Sequence, residues 1–455
     1  MLQRTRRLAP AIAVLAISAL ATAAEPTTEQ LKAQIDALSK KVDALEARQV
    51  SSADVDATVQ RVLHDAQQRS QLMSAEGFTA GYNKGRFTIQ SADGSFSFSP
   101  IAQLQIRYDG AYRSGVPGKP DDTTSYDDGF EIRRAKFGFA GNMVSQDLTY
   151  KITWATDRGT GNPALEEAWV RYRFAPEFAV FGGQFQDFSS HETSVATSRQ
   201  MAVEESAMGT MLNPASFPQG VGLAYETAKL RVQGAYHDGI NSQNTKFFDT
   251  GDAAGNNLAH WGAVGRVEWM AVGDNWREYD DFTAQGDKSD LLVFGAGIDV
   301  TQFAGKDAYF YGADVQWEPL SIPGLGVYGG YVGQYVNQAD LLGVSQPTIA
   351  NNGFIVQASY MLSDKWEVFG RYDLAMFDNS QFAANDVQNY VHEITTGVNY
   401  YLYGHAAKFT ADIVYLPNGA DSRIPATSNL TGAGILPTDG GAYEVVGRVQ
   451  FQLLL

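Results

Sequence analysis

The segment Tyr443-Glu444-Val445-Val446-Gly447-Arg448-Val449-Gln450-Phe451-Gln452-Leu453-Leu454-Leu455 decides the fold. Tyr443, Val445, Gly447, Val449, Phe451, Leu453 and Leu455 fall on one face of a strand, and Glu444, Arg448, Gln450 and Gln452 on the other. Side chains along a strand have a period of two, so such a segment can turn one face to lipid and the other to water. A half-buried strand of a soluble sheet alternates in the same way, and only repetition separates the two. From Phe96 onward about sixteen segments, each roughly ten residues long and closed by a turn, repeat the pattern, the signature of an all-β transmembrane barrel of antiparallel strands.

The alternation predicts strands near 101–112, 129–140, 147–157, 165–174, 178–187, 219–227, 229–238 and 259–270. Eight more are predicted near 291–300, 307–317, 325–336, 353–362, 365–376, 390–402, 406–416 and 443–455. An even count lets a closed antiparallel barrel keep both ends on one side of the membrane, and closure removes exposed edges. Connections alternate in length. Ala175-Pro176-Glu177, Thr227-Ala228, Ser363-Asp364 and Tyr403-Gly404-His405 are short, whereas 113–128, 188–218, 239–258, 337–352, 377–389 and 417–442 are long. Short periplasmic turns and long extracellular loops produce this alternation. One connection breaks it: 271–290 is long and acidic where a short turn is expected, so either it carries an insertion or the strand count slips there.

Ahead of the barrel, read as residues 95–455, the chain changes character. Arg4, Arg6 and Arg7, an apolar run from Leu8 to Leu20, and Ala21-Thr22-Ala23-Ala24 fit an export signal over 1–24. In 27–74, Leu31, Ile35, Leu38, Val42 and Leu45 are spaced as a heptad seam, which Val59, Leu63, Ala66 and Met73 resume, predicting a helical coiled-coil segment. Residues 75–94 read as a linker with a short strand at Arg86 to Gln90. An exported chain with this barrel belongs in the outer membrane of a Gram-negative cell, its helix in the periplasm.

The net charge of −17, about −20 once the signal is removed, argues against nucleic acid as a partner. Neither a cofactor nor a metal is expected: the six histidines, at 64, 191, 237, 260, 392 and 405, show no ligand spacing. Ser189, Ser190, His191 and Glu192 are close in sequence, but no Gly-x-Ser-x-Gly elbow accompanies them, so no catalytic role is expected.

Parity within each strand assigns the lumen. Arg107, Arg134, Lys136, Lys151, Arg171, Arg173 and Arg231 point inward on the earlier strands, and Asp299, Asp314, Glu367, Asp373, Glu393 and Asp412 on the later ones. Adjacent strand residues face opposite ways, so Arg133 is expected at the mouth unless its strand is irregular. The third long loop, 188–218, is the candidate constriction.

Three stretches resemble the phosphate-selective porin O and P family. They are Asp128-Gly129-Phe130-Glu131-Ile132-Arg133-Arg134-Ala135-Lys136, Glu166-Glu167-Ala168-Trp169-Val170, and Gly182-Gly183-Gln184-Phe185, within a likeness covering roughly 86–455. The resemblance implies a trimer of sixteen-stranded barrels that passes anions along lumen arginines, with Arg107, Arg133 and Arg134 in the matching places. It also implies a lysine in the third loop. Here Arg199 is the only Lys or Arg between Gln184 and Lys229. The reading is a passive pore for small anionic solutes, phosphate or pyrophosphate first. Its alternatives are a general or sugar-preferring porin and an outer-membrane anchor that works through its coiled coil.

Overall fold

The computed structural model describes residues 28–46, 60, 77–83, 86–120, 123–213, 216–246, 259–286, 289–303, 306–337, 348–382 and 386–455. The export signal and the second half of the heptad seam lie outside them. The chain forms two units, one to Ala75 and one from Glu76. In the first, helix α1 (Thr28–Glu46) carries the seam residues Ile35 and Leu38, both exposed in the single chain.

The second unit is built on strands. β1 (Phe78–Asn83) and β2 (Arg86–Ser91) pair as an antiparallel hairpin, with Phe78 opposite Ser91 and Ala80 opposite Ile89. The expected linker with one short strand is thus two strands, because Phe78, Thr79 and Tyr82 supply β-forming residues against Phe87, Thr88 and Ile89.

The barrel follows as β3 (Ser97–Ser114), β4 (Thr124–Asn142), β5 (Leu148–Thr156), β6 (Pro163–Arg173), β7 (Phe178–Gln184), β8 (Gln219–Glu226), β9 (Leu230–His237) and β10 (Ala259–Val272). It continues with β11 (Leu291–Phe303), β12 (Lys306–Glu318), β13 (Leu325–Asn337), β14 (Ile349–Ser363), β15 (Trp366–Met376), β16 (Tyr390–Tyr403), β17 (Ala407–Leu416) and β18 (Glu444–Leu454). Each strand pairs antiparallel with its neighbours, and β18 pairs with β3 to close the ring, Gln450 opposite Arg107. All sixteen predicted segments are strands, and no described helix is long and apolar enough to cross a membrane.

In β18 the alternation acts as written: Glu444, Arg448, Gln450 and Gln452 are buried in the interior, while Val449 and Leu453 are exposed on the outer face. The wall is uneven. β7, β8 and β9 have 7, 8 and 8 residues, whereas β14 has 15. Seven residues reach about 23 Å before tilt, so the low wall falls short of the apolar band of about 25 Å.

Two segments fill much of the interior. The loop between β7 and β8 folds inward, carrying helices α2 (His191–Ser194) and α3 (Ala207–Leu212). From the short-turn end, the connection between β10 and β11 also enters, with helix α4 (Trp276–Tyr279). The long acidic stretch is therefore an insertion, and the strand count does not slip. The insertion goes inside because Tyr279 and Phe282 are apolar enough to be buried, at 0% and 2% exposure.

Candidate functional site

Two β-bulges shape the lumen wall. In β4, Ile132 pairs with Ile106 and Arg134 with Gln105, leaving Arg133 as the extra residue. In β6, Leu165 pairs with Trp154 and Glu167 with Thr153, leaving Glu166 extra. A bulge lets two consecutive side chains share one face. Arg133 and Arg134 therefore both point into the lumen, as do Glu166 and Glu167. The expectation that Arg133 stays at the mouth is overturned by this irregularity.

The three arginines converge on one loop carboxylate. Arg107 Nη1 donates to Glu204 Oε1 at 2.7 Å, Arg133 Nε to the same oxygen at 2.6 Å, and Arg134 Nη2 to Oε2 at 2.7 Å. Burial opposes ionisation of Glu204, but Arg133, Arg134 and Arg107 hold its carboxyl well below the usual range. Arg107 also donates to Asp109 at 2.7 Å, to Glu131 and to the Gly432 carbonyl at 3.0 Å. Lys136 pairs with Glu166 at 2.7 Å, Lys151 with Glu167, and Arg158 with Glu131 at 3.2 Å.

The loop hangs from the opposite wall. Backbone N–H groups of Val203, Ala207 and Met208 donate to Asp412, Glu393 and Asp373 at 3.0, 2.9 and 2.9 Å. Lys408 donates to the Gln200 carbonyl at 3.0 Å, and Arg371 to that of Glu204 at 2.8 Å. Met208, Met211 and Leu212 pack in a buried apolar cluster with Ile355, Phe369 and Val391. The later acidic residues thus do not face open water. Asp373, Glu393 and Asp412 satisfy backbone donors of the loop and the charges of Arg371 and Arg448, while Asp314 pairs with Arg266, Asp299 with His237, and Glu367 accepts from the Ala284 N–H.

One open cavity lies on the β3–β6 side. Arg133, Arg134, Lys136, Lys151 and Arg158 line a cavity of about 400 Å³ together with Glu166, Glu167, Glu204 and Glu205. A second cavity of about 310 Å³, lined by Arg199, Arg231, Arg266, Glu268 and Asp280, shares Ala196 with the first. Arg199 is tied to the insertion through Asp281 at 2.5 Å, and His191 stacks on Tyr279 at 3.8 Å.

The remaining predicted cations are scattered. Arg231 pairs with Glu226, Glu268 and Asp280 and lies 4.4 Å over the Trp276 ring. Arg173 sits at the rim with Asp147 at 2.5 Å, rather than in the lumen, because it ends β6 beside the turn that holds Asp147. Arg171 makes no ion pair among the described residues. Sequence reasoning missed Glu131, Glu166, Glu167 and Arg158. Consecutive like charges in Arg133-Arg134 and Glu166-Glu167 were the available signal, since neither member tolerates lipid and both fit inside only across a bulge. The serine and histidine of the loop are held apart: Ser189 donates to Asp187 at 2.5 Å, and His191 Nε2 lies 3.1 Å from the Tyr279 carbonyl.

A closed sixteen-stranded barrel with a loop slung across a polar lumen is an outer-membrane porin. The chain belongs to the phosphate-selective porin O and P family, whose model matches residues 103–416. Among solved structures, an anion-selective porin from Comamonas acidovorans is similar, with 12% identity and a TM-score of 0.55 over 79% of this chain and 100% of that one. OmpF of Salmonella typhi in complex with daunomycin shares 13% identity at a TM-score of 0.50 over 82% of this chain and 100% of that one. At these identities the likeness concerns the fold. No curated protein matches the chain.

Proposed function

We propose that the pore conducts small anions, phosphate and pyrophosphate among them, along the strip between the inner loop and the β3–β6 wall. The carrying observation is that Arg133, Arg134, Lys136, Lys151 and Arg158 line a single cavity. Guanidinium groups replace part of an oxyanion's hydration with charge-assisted hydrogen bonds. Permeation requires sites that release the ion as readily as they take it. Cations already engaged by carboxylates meet that need, because the solute exchanges with a partner instead of filling a bare site.

In this reading three copies assemble through the low wall. Val221, Leu223 and Tyr236 are exposed apolar groups on β8 and β9, where the strands are too short to match the bilayer by themselves. Helix α1 then belongs to the periplasm, where its heptads gather the chains.

Glu166, Glu167 and Glu204 in the same cavity favour a second reading, a general porin whose opposed charges set a transverse field with little ion preference. Reversal potential across a planar bilayer in asymmetric KCl separates the two. Preference for chloride, with phosphate blocking the chloride current, supports the anion pore; preference for potassium overturns it.

A further inference from the structure

We infer that Glu204 is a tethered competitor for the solute: its carboxylate fills the oxyanion site formed by Arg133 and Arg134, with Arg107 behind them, and so sets how weakly that site binds. The inference rests on the anion reading above and adds the residue that tunes it.

Three guanidinium groups reach the two oxygens of Glu204 at 2.6 to 2.7 Å, the arrangement they would offer a planar face of phosphate. The β4 bulge aims Arg133 and Arg134 at one point, so the site is built by the backbone and not by side-chain flexibility. Arg107 shares its remaining donors among Asp109, Glu131 and the Gly432 carbonyl. Arg133, in contrast, donates only to Glu204 among the described residues, and Arg134 only to Glu204 and Gln105. Arg158 adds a further cation: guanidinium nitrogens of Arg133 and Arg158 both lie within 4 Å of the position a Cβ would take at Gly432. Without Glu204 the cluster would hold a multiply charged anion strongly and slow its passage.

Glu204 is well placed for exchange. The neighbouring backbone is fixed by Arg371 on the Glu204 carbonyl and by Asp412 on the Val203 N–H, so its side chain is free to leave without the loop moving. Glu204, Arg133 and Arg134 line the open cavity, where a solute has access to them, whereas Arg107 is buried behind.

The test is planar-bilayer recording of purified full-length wild type, Glu204→Gln, Glu204→Asp and the triple variant Arg133→Ala/Arg134→Ala/Glu204→Gln. Each is measured for its KCl reversal potential and for the inorganic phosphate concentration that halves the chloride current. Glu204→Gln is expected to lower the half-blocking concentration about tenfold, the scale of one charged hydrogen bond regained by the solute, and the triple variant to abolish that gain. Unchanged or weaker block in Glu204→Gln overturns the inference. Should Glu204→Gln fail to assemble, Glu204→Asp decides: its shorter carboxylate loosens the hold, so stronger block supports competition and wild-type block refutes it. A potassium-preferring wild type would overturn the anion reading by itself. The change from wild type to Glu204→Gln would still report on Glu204.

Discussion

The β3–β6 wall and the β13–β18 wall obey the same rule, charged residues turned inward, and reach opposite ends. On β15, β16 and β17 the inward carboxylates Asp373, Glu393 and Asp412 are sealed beneath the loop and spend their lone pairs on its N–H groups. On β4 the inward cations Arg133 and Arg134 reach the same loop only through the Glu204 side chain and border an open cavity. A lumen charge is therefore structural where the loop backbone covers it and available to solute where only a side chain does. Burial, not sign, makes the difference.

The sharpest way to break this contrast is Asp412→Ala. It strands Arg448, whose guanidinium is fully buried against Asp412 at 2.7 Å, and releases the Val203 N–H. A loss of about 4 kcal/mol is expected, the cost of orphaning one partner of a buried pair, read as a lower thermal unfolding midpoint of the purified barrel. An unshifted midpoint would mean that the sealed wall does not hold the loop.

Tyr279→Ala should follow in size. Its ring stacks on His191 and its hydroxyl accepts from Arg266 at 2.9 Å while donating to Asp314 at 3.0 Å. Truncation should cost about 3 kcal/mol and raise single-channel conductance, since the insertion narrows the second cavity. Conductance that stays put would show that ions bypass the insertion.

On the open wall smaller, solute-directed effects are expected. Arg133→Ala and Arg134→Ala should each weaken phosphate block by about 1 kcal/mol, and equally, because the bulge brings both to Glu204. A clear excess for Arg134 would restore the regular register that the sequence suggested.

The smallest effect concerns pH. Burial first, and Glu192 next, push the Glu205 carboxyl up to about 7. Raising pH through that value ionises Glu205 and adds negative charge to the cavity, so chloride preference should decline from pH 6 to 8. Glu205→Gln should flatten the profile of reversal potential against pH; an unaltered slope would assign the titration to another group.

The strands were legible because a barrel imposes a period of two on every segment and prices a misplaced charge in kilocalories. From that period alone come the sixteen strands, the closure and the inward side of Arg107, Lys136 and Lys151. The ends of strands and the bulges were not legible, since a bulge changes register by one residue without changing composition. Only the folded chain could decide that Arg133 joins Arg134, that the stretch carrying Tyr279 and Phe282 enters the barrel, and which carboxylate answers which cation. Those pairings join residues as distant as Glu204 and Arg107, or Val203 and Asp412, and local patterning carries no term for contacts between opposite walls.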